Sequence, residues 1–570
     1  MLSPPPACRG CMLNIMFALV QIISVFIINS LLFSMISLFE FATPEMLTKL
    51  LVKERAKCRR RNRSEKKENK KLIRDCDINI LSTRKMLSRM MPPRYTWVRP
   101  SKRIRLKNGA MDTSKNAEKA LLVTIKRDRS RKGEKTPVYL QELDAFINRI
   151  RERLKQPELT LESPQLLPIF KSKSQNPDGS FEVTCRPLSV YNKLEDKIII
   201  AVTSRYLTRF IDKHLHKNIL SYRNSRSFCD KEHHTTDFND GIKLIENFRK
   251  EQGLNDIYVA DCDIKKFYDT IPHNVVIESF ERILDKTRLD DDGKNQVMKV
   301  LKAYLDSYNF YDNAWLEAES NPYVYFKVRR QMRDIHQRKI YKLGWVDDIM
   351  ALPENERRQR GVPQGGALSL VIANVVLNDV DQVIVQNEDT NRLFIRYCDD
   401  MIMMHTSRDE CDRLMKVYAQ SLTEHGLYYH DFEFVADSKN TENPMTTNSH
   451  FWDIKSHSTY LWGDGEGNSN RYIGFLGYEM QRNGKLRLRK ANIQRFKEKV
   501  NRLFYALLRF QKNEKKTDEE KAEHKEKTFK NLMDGINFYT AFDQARFQNS
   551  KQFRLMKDMR DNLEARLAKQ

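Results

Sequence analysis

The sequence predicts an α+β fold, an antiparallel sheet backed by helices, and three segments carry that expectation. The first is Tyr397-Cys398-Asp399-Asp400, set between the apolar runs Leu393-Phe394-Ile395 and Met401-Ile402-Met403-Met404. It reads as a β-hairpin with a tight turn. The second is Tyr258-Val259-Ala260-Asp261-Cys262-Asp263, an apolar strand signal that ends in carboxylates and meets a helix-like continuation through Asp269. The third is Arg360-Gly361-Val362-Pro363-Gln364-Gly365-Gly366-Ala367-Leu368-Ser369, followed by the helix-like run Leu370 to Leu377.

Each segment has a chemical reason. Two adjacent carboxylates between hydrophobic half-strands are costly unless something cationic sits beside them. A hairpin tip would offer both to divalent metal, and Asp263 would sit beside that tip at the end of its own strand. Phosphoryl transfer from a nucleoside triphosphate uses two Mg²⁺ ions roughly 4 Å apart. Mg²⁺ usually takes one or two carboxylates plus substrate phosphates. One aspartate from the first strand and a pair from the hairpin meet that demand. Glycines at the mouth of a helix let the backbone approach a nucleotide, and the helix N-terminus favours its phosphates. Read singly, the Asp-Asp pair also suits an exposed turn and the Gly-Gly pair a plain one. Their order along the chain is the specific signal.

On these residues the chain resembles the reverse transcriptases, closest to the prokaryotic branch of group II intron, retron and defence-associated enzymes. The resemblance covers roughly Thr184 to Phe510. It implies a right-hand polymerase with fingers, palm and helical thumb, acting as an RNA-directed DNA polymerase. It implies Asp263, Asp399 and Asp400 as ligands of two Mg²⁺ ions. Tyr268 becomes the aromatic gate against a ribose 2′-hydroxyl, and Gln364 lines the pocket for the incoming nucleotide. Arg186, in Arg186-Pro187-Leu188-Ser189-Val190, looks like the fingers arginine that holds the triphosphate. Lys439 occupies roughly the place of a lysine near the leaving pyrophosphate, although its neighbours depart from the usual pattern. Ser221-Tyr222-Arg223-Asn224-Ser225-Arg226-Ser227 is similar to the template-contact segment, and Phe475-Leu476-Gly477-Tyr478 resembles the primer grip.

The partners implied are an RNA template, a DNA product and deoxynucleoside triphosphates, with a non-coding RNA or a companion defence protein beside them. Antiviral defence against phage is the role the resemblance favours. A retron or group II intron-derived enzyme is the alternative within the class, and a non-catalytic RNA-binding protein on a polymerase scaffold is the alternative outside it. Composition suits both enzyme and binder: 100 basic against 76 acidic residues give +24 and a pI near 9.5, as a protein that neutralises many phosphates requires. Nine scattered cysteines, with Cys8-x-x-Cys11 the one close pair, form no zinc or disulfide pattern and favour a reducing cytosol.

Residues 1–40 form an apolar N-terminal segment, uncharged from Gly10 to Phe39. It is either a membrane span with the body in the cytoplasm or a gene-model extension ahead of a start at Met35. Cytoplasmic localisation is expected, and inner-membrane anchoring is the alternative. Residues 41–135 read as a basic extension whose run Lys53 to Arg74 is a solvated helix or an RNA contact. Residues 136–480 hold fingers and palm, beginning with a helix marked by Tyr139, Leu140, Leu143, Phe146, Ile147, Ile150 and Leu154. A hairpin follows around Asn176-Pro177-Asp178-Gly179. Insertions are expected near 287–355 and 440–470. The first interleaves aromatics (Tyr304, Tyr308, Phe310, Tyr311, Tyr323, Tyr325, Phe326) with arginines (Arg329, Arg330, Arg333, Arg338), which suits single-stranded nucleic acid or a small helical core. The second reads as a surface loop or short hairpin. Residues 481–570 form the thumb and C-terminal helices: a helix with Ile493, Phe496, Val500, Leu503, Phe504 and Leu507 on one face, an exposed charged break from Lys512 to Lys527, and resumed helix from Phe529.

Overall fold

The computed structural model describes residues 36–65, 78–101, 103–105, 111, 113–131, 136–175, 181–223, 238–320, 341–343, 346–433, 451, 454–465, 469–514, 517–539 and 551–568. In chain order these give α1 (Pro44–Glu65), α2 (Thr113–Ser130), α3 (Val138–Lys155), β1 (Gln165–Gln175), β2 (Phe181–Val190), α4 (Leu194–Ile211), β3 (Tyr258–Asp263), α5 (His273–Asp285) and α6 (Asp291–Asp306). They continue with β4 (Tyr341–Lys342), α7 (Ala367–Val385), β5 (Arg392–Tyr397), β6 (Asp400–His405), α8 (Arg408–Glu424), β7 (Phe432–Glu433), β8 (Ser456–Trp462) and β9 (Ser469–Asn470). The C-terminal part is β10 (Tyr472–Phe475), β11 (Tyr478–Gln481), β12 (Leu486–Leu488), α9 (Lys490–Gln511), α10 (Asp518–Tyr539) and α11 (Lys551–Ala568).

The central sheet has the order β5-β6-β3-β8-β7, with β9 beside β8. Its inner strands are buried on both faces, which is why their sequences read as near-continuous apolar runs. The period of two sorts them: Ala260, Cys262, Phe394, Met401 and Met403 enter one core with α4 to α8. Val259, Leu393, Ile395, Ile402 and Met404 enter a second core, shared with the β10–β12 sheet and the thumb helices. Helices α4 to α8 therefore back one face of the sheet, and the β10–β12 sheet with the thumb helices covers the other. Fingers strands β1 and β2 pair antiparallel, and β4 adds parallel to β2. Among the described residues α7 alone is long and apolar enough to cross a membrane; buried on nearly every side, it is the core helix of the palm.

Several expectations meet corrections here. Residues 456–462 are no surface loop: β8 pairs antiparallel with β3, and Trp462 is 1% exposed. The alternation of β8 is hidden because Ser456, His457 and Thr459 are buried polar residues, the first two bonded to Asp263 and Asp261 of β3. The described part of the 41–135 region is not an appended tail. Leu47, Leu50, Leu51 and Val52 of α1 lie in the main core, and α1 packs against α2, α3 and α4. The fold begins earlier still: Leu38 is buried, and the Tyr206 hydroxyl donates to the Ile36 carbonyl at 2.8 Å. Any apolar span in the first forty residues therefore stops short of Leu38; the rest of that segment lies outside the described residues.

In the first insertion Tyr304, Tyr308, Phe310 and Tyr311 are buried, three of them below 2% exposure. These rings are core, unavailable for stacking on nucleic acid. Phe310 and Tyr311 pack with Leu343, Val346 and Ile349 against Cys185 of the fingers, while Tyr323, Tyr325, Phe326 and the arginines of that segment lie outside the described residues. In the thumb, α9 buries Phe496, Val500, Phe504 and Leu507 of the expected face, while Ile493 and Leu503 are half-buried beside them. The charged stretch after it is helical from Asp518, so α10 starts inside the predicted break.

Candidate active site

The turn between β5 and β6 contains two residues, Cys398 and Asp399, because Tyr397 pairs with Asp400. Cys398 adopts φ 57°, the left-handed region, which costs a non-glycine residue about 1–2 kcal/mol. On the other side of β6, Asp400 lies directly opposite Asp263 of β3. Directly opposed residues bring their Cβ atoms to about 5 Å on the same face of a sheet. Asp261, two residues before Asp263, shares that face by the same alternation. The sheet thus collects Asp263, Asp399 and Asp400 at one end, with Asp261 one step further in.

The electrostatics show the crowding. Burial raises the Asp400 carboxyl, and Asp399, Asp263 and Asp261 add to it, reaching about 7 against the opposing pull of Lys455. Asp400 keeps an exposed surface, so solvent moderates the repulsion. Burial also raises Asp399, with Asp263 adding; Arg186 and Arg396 pull the other way. Among the described residues no three metal-ligating side chains already close around a common centre. The donor set itself, hard carboxylate oxygens that repel one another, fits a divalent cation of the Mg²⁺ type.

Tyr268 follows β3 through Lys266, which turns the chain at φ 50° into the helical turn Phe267–Thr270. Its hydroxyl is pushed up by burial first and then by Cys398 and Asp399, which places the ring beside the hairpin turn. Its carbonyl accepts from the Val362 amide at 2.7 Å, and the Gly361 amide donates to the Ile271 carbonyl at 2.8 Å. Those bonds tie the glycine loop to the segment after β3. From the other side, the Ser189 amide donates to the Gln364 carbonyl at 2.9 Å, bringing β2 and Arg186 to the same place. Gln364 is itself engaged, its Nε2 donating to Oδ1 of the buried Asp269 at 2.6 Å.

The glycines have a packing reason besides any nucleotide. A Cβ on Gly366 would stand 2.1 Å from the Tyr304 hydroxyl. One on Gly365, at φ 89°, would stand 2.5 Å from Leu188 Cδ1. The loop is compressed between fingers and palm, and only glycine fits.

Two expected contacts fare differently. Arg223 is 8% exposed and donates to the carbonyls of His216 and Ile219 at 2.9 and 3.0 Å. It buttresses its own loop and is not presented to a template; Tyr222 beside it is half exposed, its hydroxyl pushed up to about 12 by burial and then by Cys398. Arg226 and Lys439 lie outside the described residues. The Phe475-Leu476-Gly477-Tyr478 segment is a tight hairpin, with Leu476 at φ 51° and Gly477 at φ 88°.

The sequence reading missed the basic side chains beside these carboxylates. Lys455 Nζ and His430 Nε2 each lie 3.9 Å from Asp263 Oδ2. His457 Nδ1 meets Asp261 at 2.8 Å and its Nε2 meets the Phe451 carbonyl at 3.0 Å. Burial opposes its protonation, but Asp261 outweighs that and raises it. Only Asp261 carried a signal, its two-residue spacing from Asp263; Lys455 and His457 required knowing that β8 borders β3, and His430 that its segment meets the end of β3, its amide donating to the Asp263 carbonyl at 3.0 Å.

Residues 277–431 match the family model described as reverse transcriptase (RNA-dependent DNA polymerase). The chain therefore carries a reverse transcriptase domain, and its mixed sheet-and-helix architecture is that of a right-hand polymerase. The matched segment includes Gln364, Asp399 and Asp400 and begins after Asp263 and Tyr268. No curated protein matches the chain. Among solved structures it is similar to apo telomerase from Candida tropicalis truncated from its C-terminal domain, with TM-score 0.33 and 16% identity over 58% of this chain and 55% of that one. It is also similar to Candida tropicalis telomerase in complex with the TWJ fragment of telomeric RNA, with TM-score 0.34 and 15% identity over 80% and 69%. For the Candida albicans telomerase complex the TM-score is 0.30 at 13% identity, over 80% and 69%. The chain thus spans little more than half the length of the first of these.

Proposed function

We propose that the protein copies RNA into DNA by adding deoxynucleotides to a primer 3′ end at Asp263, Asp399 and Asp400. The observation that carries this reading is the direct cross-strand pairing of Asp263 with Asp400 beside the Cys398-Asp399 turn, inside a chain that holds a reverse transcriptase domain. Asp263, Asp399 and Asp400 would hold two Mg²⁺ ions, which when bound supply Lewis-acid activation of the primer hydroxyl and neutralise the triphosphate. Arg186, exposed and electrostatically coupled to Asp399, binds the triphosphate on the fingers side. Tyr268 fills the space beside the sugar. Gln364, held by Asp269, supports the base-pairing pocket; Lys439 is proposed near the leaving pyrophosphate on the sequence resemblance alone.

Within the class, the sequence resemblance favours the prokaryotic, defence-associated branch, with a cytoplasmic site of action. A gene for a structured non-coding RNA or a companion defence protein next to the coding sequence would support that placement. The activity itself is tested by primer extension on an RNA template with Mg²⁺. Extension by the purified chain, abolished by chelation, is expected. Tight RNA binding with no extension under any divalent metal would instead establish a non-catalytic binder.

A further inference from the structure

Helix α7 is the most apolar helix of the palm, yet it carries Asn374, Asn378 and Asp381 at 3%, 1% and 0% exposure. The spacings of four and three residues put them on one face. Burying three polar side chains is costly unless each is bonded, and each is bonded toward the same target. Asn374 Nδ2 donates to the Ser221 carbonyl at 2.8 Å, and the Ser221 hydroxyl donates to Asn374 Oδ1 at 3.2 Å. Asn378 Oδ1 accepts the His216 amide at 3.2 Å. Asp381 Oδ2 accepts Arg396 Nε at 2.7 Å, with both side chains fully buried.

The two arms end on one residue. Ser221 Oγ accepts the amide of Cys398 at 2.9 Å, and Arg396 Nη1 donates to the Cys398 carbonyl at 3.0 Å. Cys398 is the left-handed residue of the turn, and Asp399 follows it. The loop carrying Ser221 is itself fastened to β5, since the Leu220 amide donates to the Arg396 carbonyl at 2.9 Å and the Arg396 amide to Asn218 at 3.1 Å.

We propose that the polar stripe of α7 positions the catalytic turn: Asn374 through Ser221, and Asp381 through Arg396, hold Cys398 at its amide and its carbonyl. The clamp keeps the turn left-handed without a glycine and so fixes the aim of Asp399. None of these four residues touches substrate; they act through the turn. The inference rests on the polymerase reading above, and its test separates the two.

The test uses the full chain and Ser221→Ala, which removes one hydroxyl; Arg396→Met, which leaves Asp381 buried without its partner, is not needed. Misplacing Asp399 should lower kcat roughly 10- to 100-fold, with the KM for deoxynucleotide within about twofold of wild type. Hydrogen exchange at the Cys398 amide should be at least about tenfold faster. Adding Cys398→Gly, which accepts positive φ without strain, should recover at least about tenfold of the lost kcat. A purely structural role would lower stability without this split and without rescue by glycine. Unchanged exchange in Ser221→Ala overturns the clamp whether or not the protein polymerises, as does a loss confined to KM. Slow, Ser221-dependent exchange in a wild-type chain that extends no primer would support the clamp and overturn the polymerase reading instead.

Discussion

Asp399→Ala and Asp263→Ala should each reduce nucleotide incorporation by at least about 10³-fold while leaving the chain folded, because on the proposed reading each removes a metal ligand. The fold should in fact gain. Asp400 titrates near 7 in the folded chain and near 3.9 when unfolded. Between those values the folded state binds more protons, so the metal-free protein loses stability as pH rises from about 4 to about 7. Asp399 is the largest charged contributor to that shift after burial. Its removal should therefore stabilise the metal-free protein at pH 8 by about 1 kcal/mol, a figure kept small because Asp400 is partly open to solvent. The gain should vanish below pH 4. Activity assays and thermal unfolding with chelator present check both halves; near wild-type incorporation by Asp399→Ala would remove it from the site.

The second large effect concerns the sugar. Tyr268 is held in place by its carbonyl bond to Val362 and by edge-on contact with Phe267, at 5.3 Å between ring centroids. Its ring stands beside the hairpin turn, where the sugar of an incoming nucleotide would lie if Asp399 serves the triphosphate. Tyr268→Ala opens that space and should raise ribonucleotide use relative to deoxyribonucleotide by roughly 10- to 100-fold, the range a steric pocket achieves against one extra hydroxyl. Tyr268→Phe should keep wild-type discrimination, since the ring does the excluding and the hydroxyl does not. Competition assays with paired nucleotides measure both. An unchanged ratio in Tyr268→Ala would take away the gate role and leave the sugar of the product undetermined.

The hairpin, β3 and the glycine loop were legible because each concentrates its signal locally. Apolar half-strands flank a polar turn, carboxylates end a strand, and paired glycines precede a helix. The partners of that site were not legible, and the reason is topological. Lys455 and His457 approach Asp263 and Asp261 only because β8 lies beside β3, across nearly two hundred residues of sequence. The polar stripe of β8 concealed the strand, since buried Ser456 and His457 look like loop residues until their partners are known. Arg223 shows the converse error: an arginine in an expected nucleic-acid contact segment is turned inward by Asp212 and the carbonyls around it. For the aromatic run Tyr308 to Tyr311 the sequence left two readings, stacking on nucleic acid or a small helical core, and the buried rings match the core. On α7, Asn374, Asn378 and Asp381 were visible as interruptions in an apolar helix, but nothing local says that they reach the Cys398-Asp399 turn.

The most direct measurement is Mn²⁺ binding, followed by electron paramagnetic resonance as a spectroscopic stand-in for Mg²⁺, in the full chain and in Asp263→Ala and Asp399→Ala. It reads the carboxylate site without requiring a template, a primer or turnover. Wild-type protein should bind Mn²⁺, and each substitution should weaken that binding at least about tenfold. Binding that persists undiminished in both variants would mean that the end of the β3–β6 sheet is not where the metal sits.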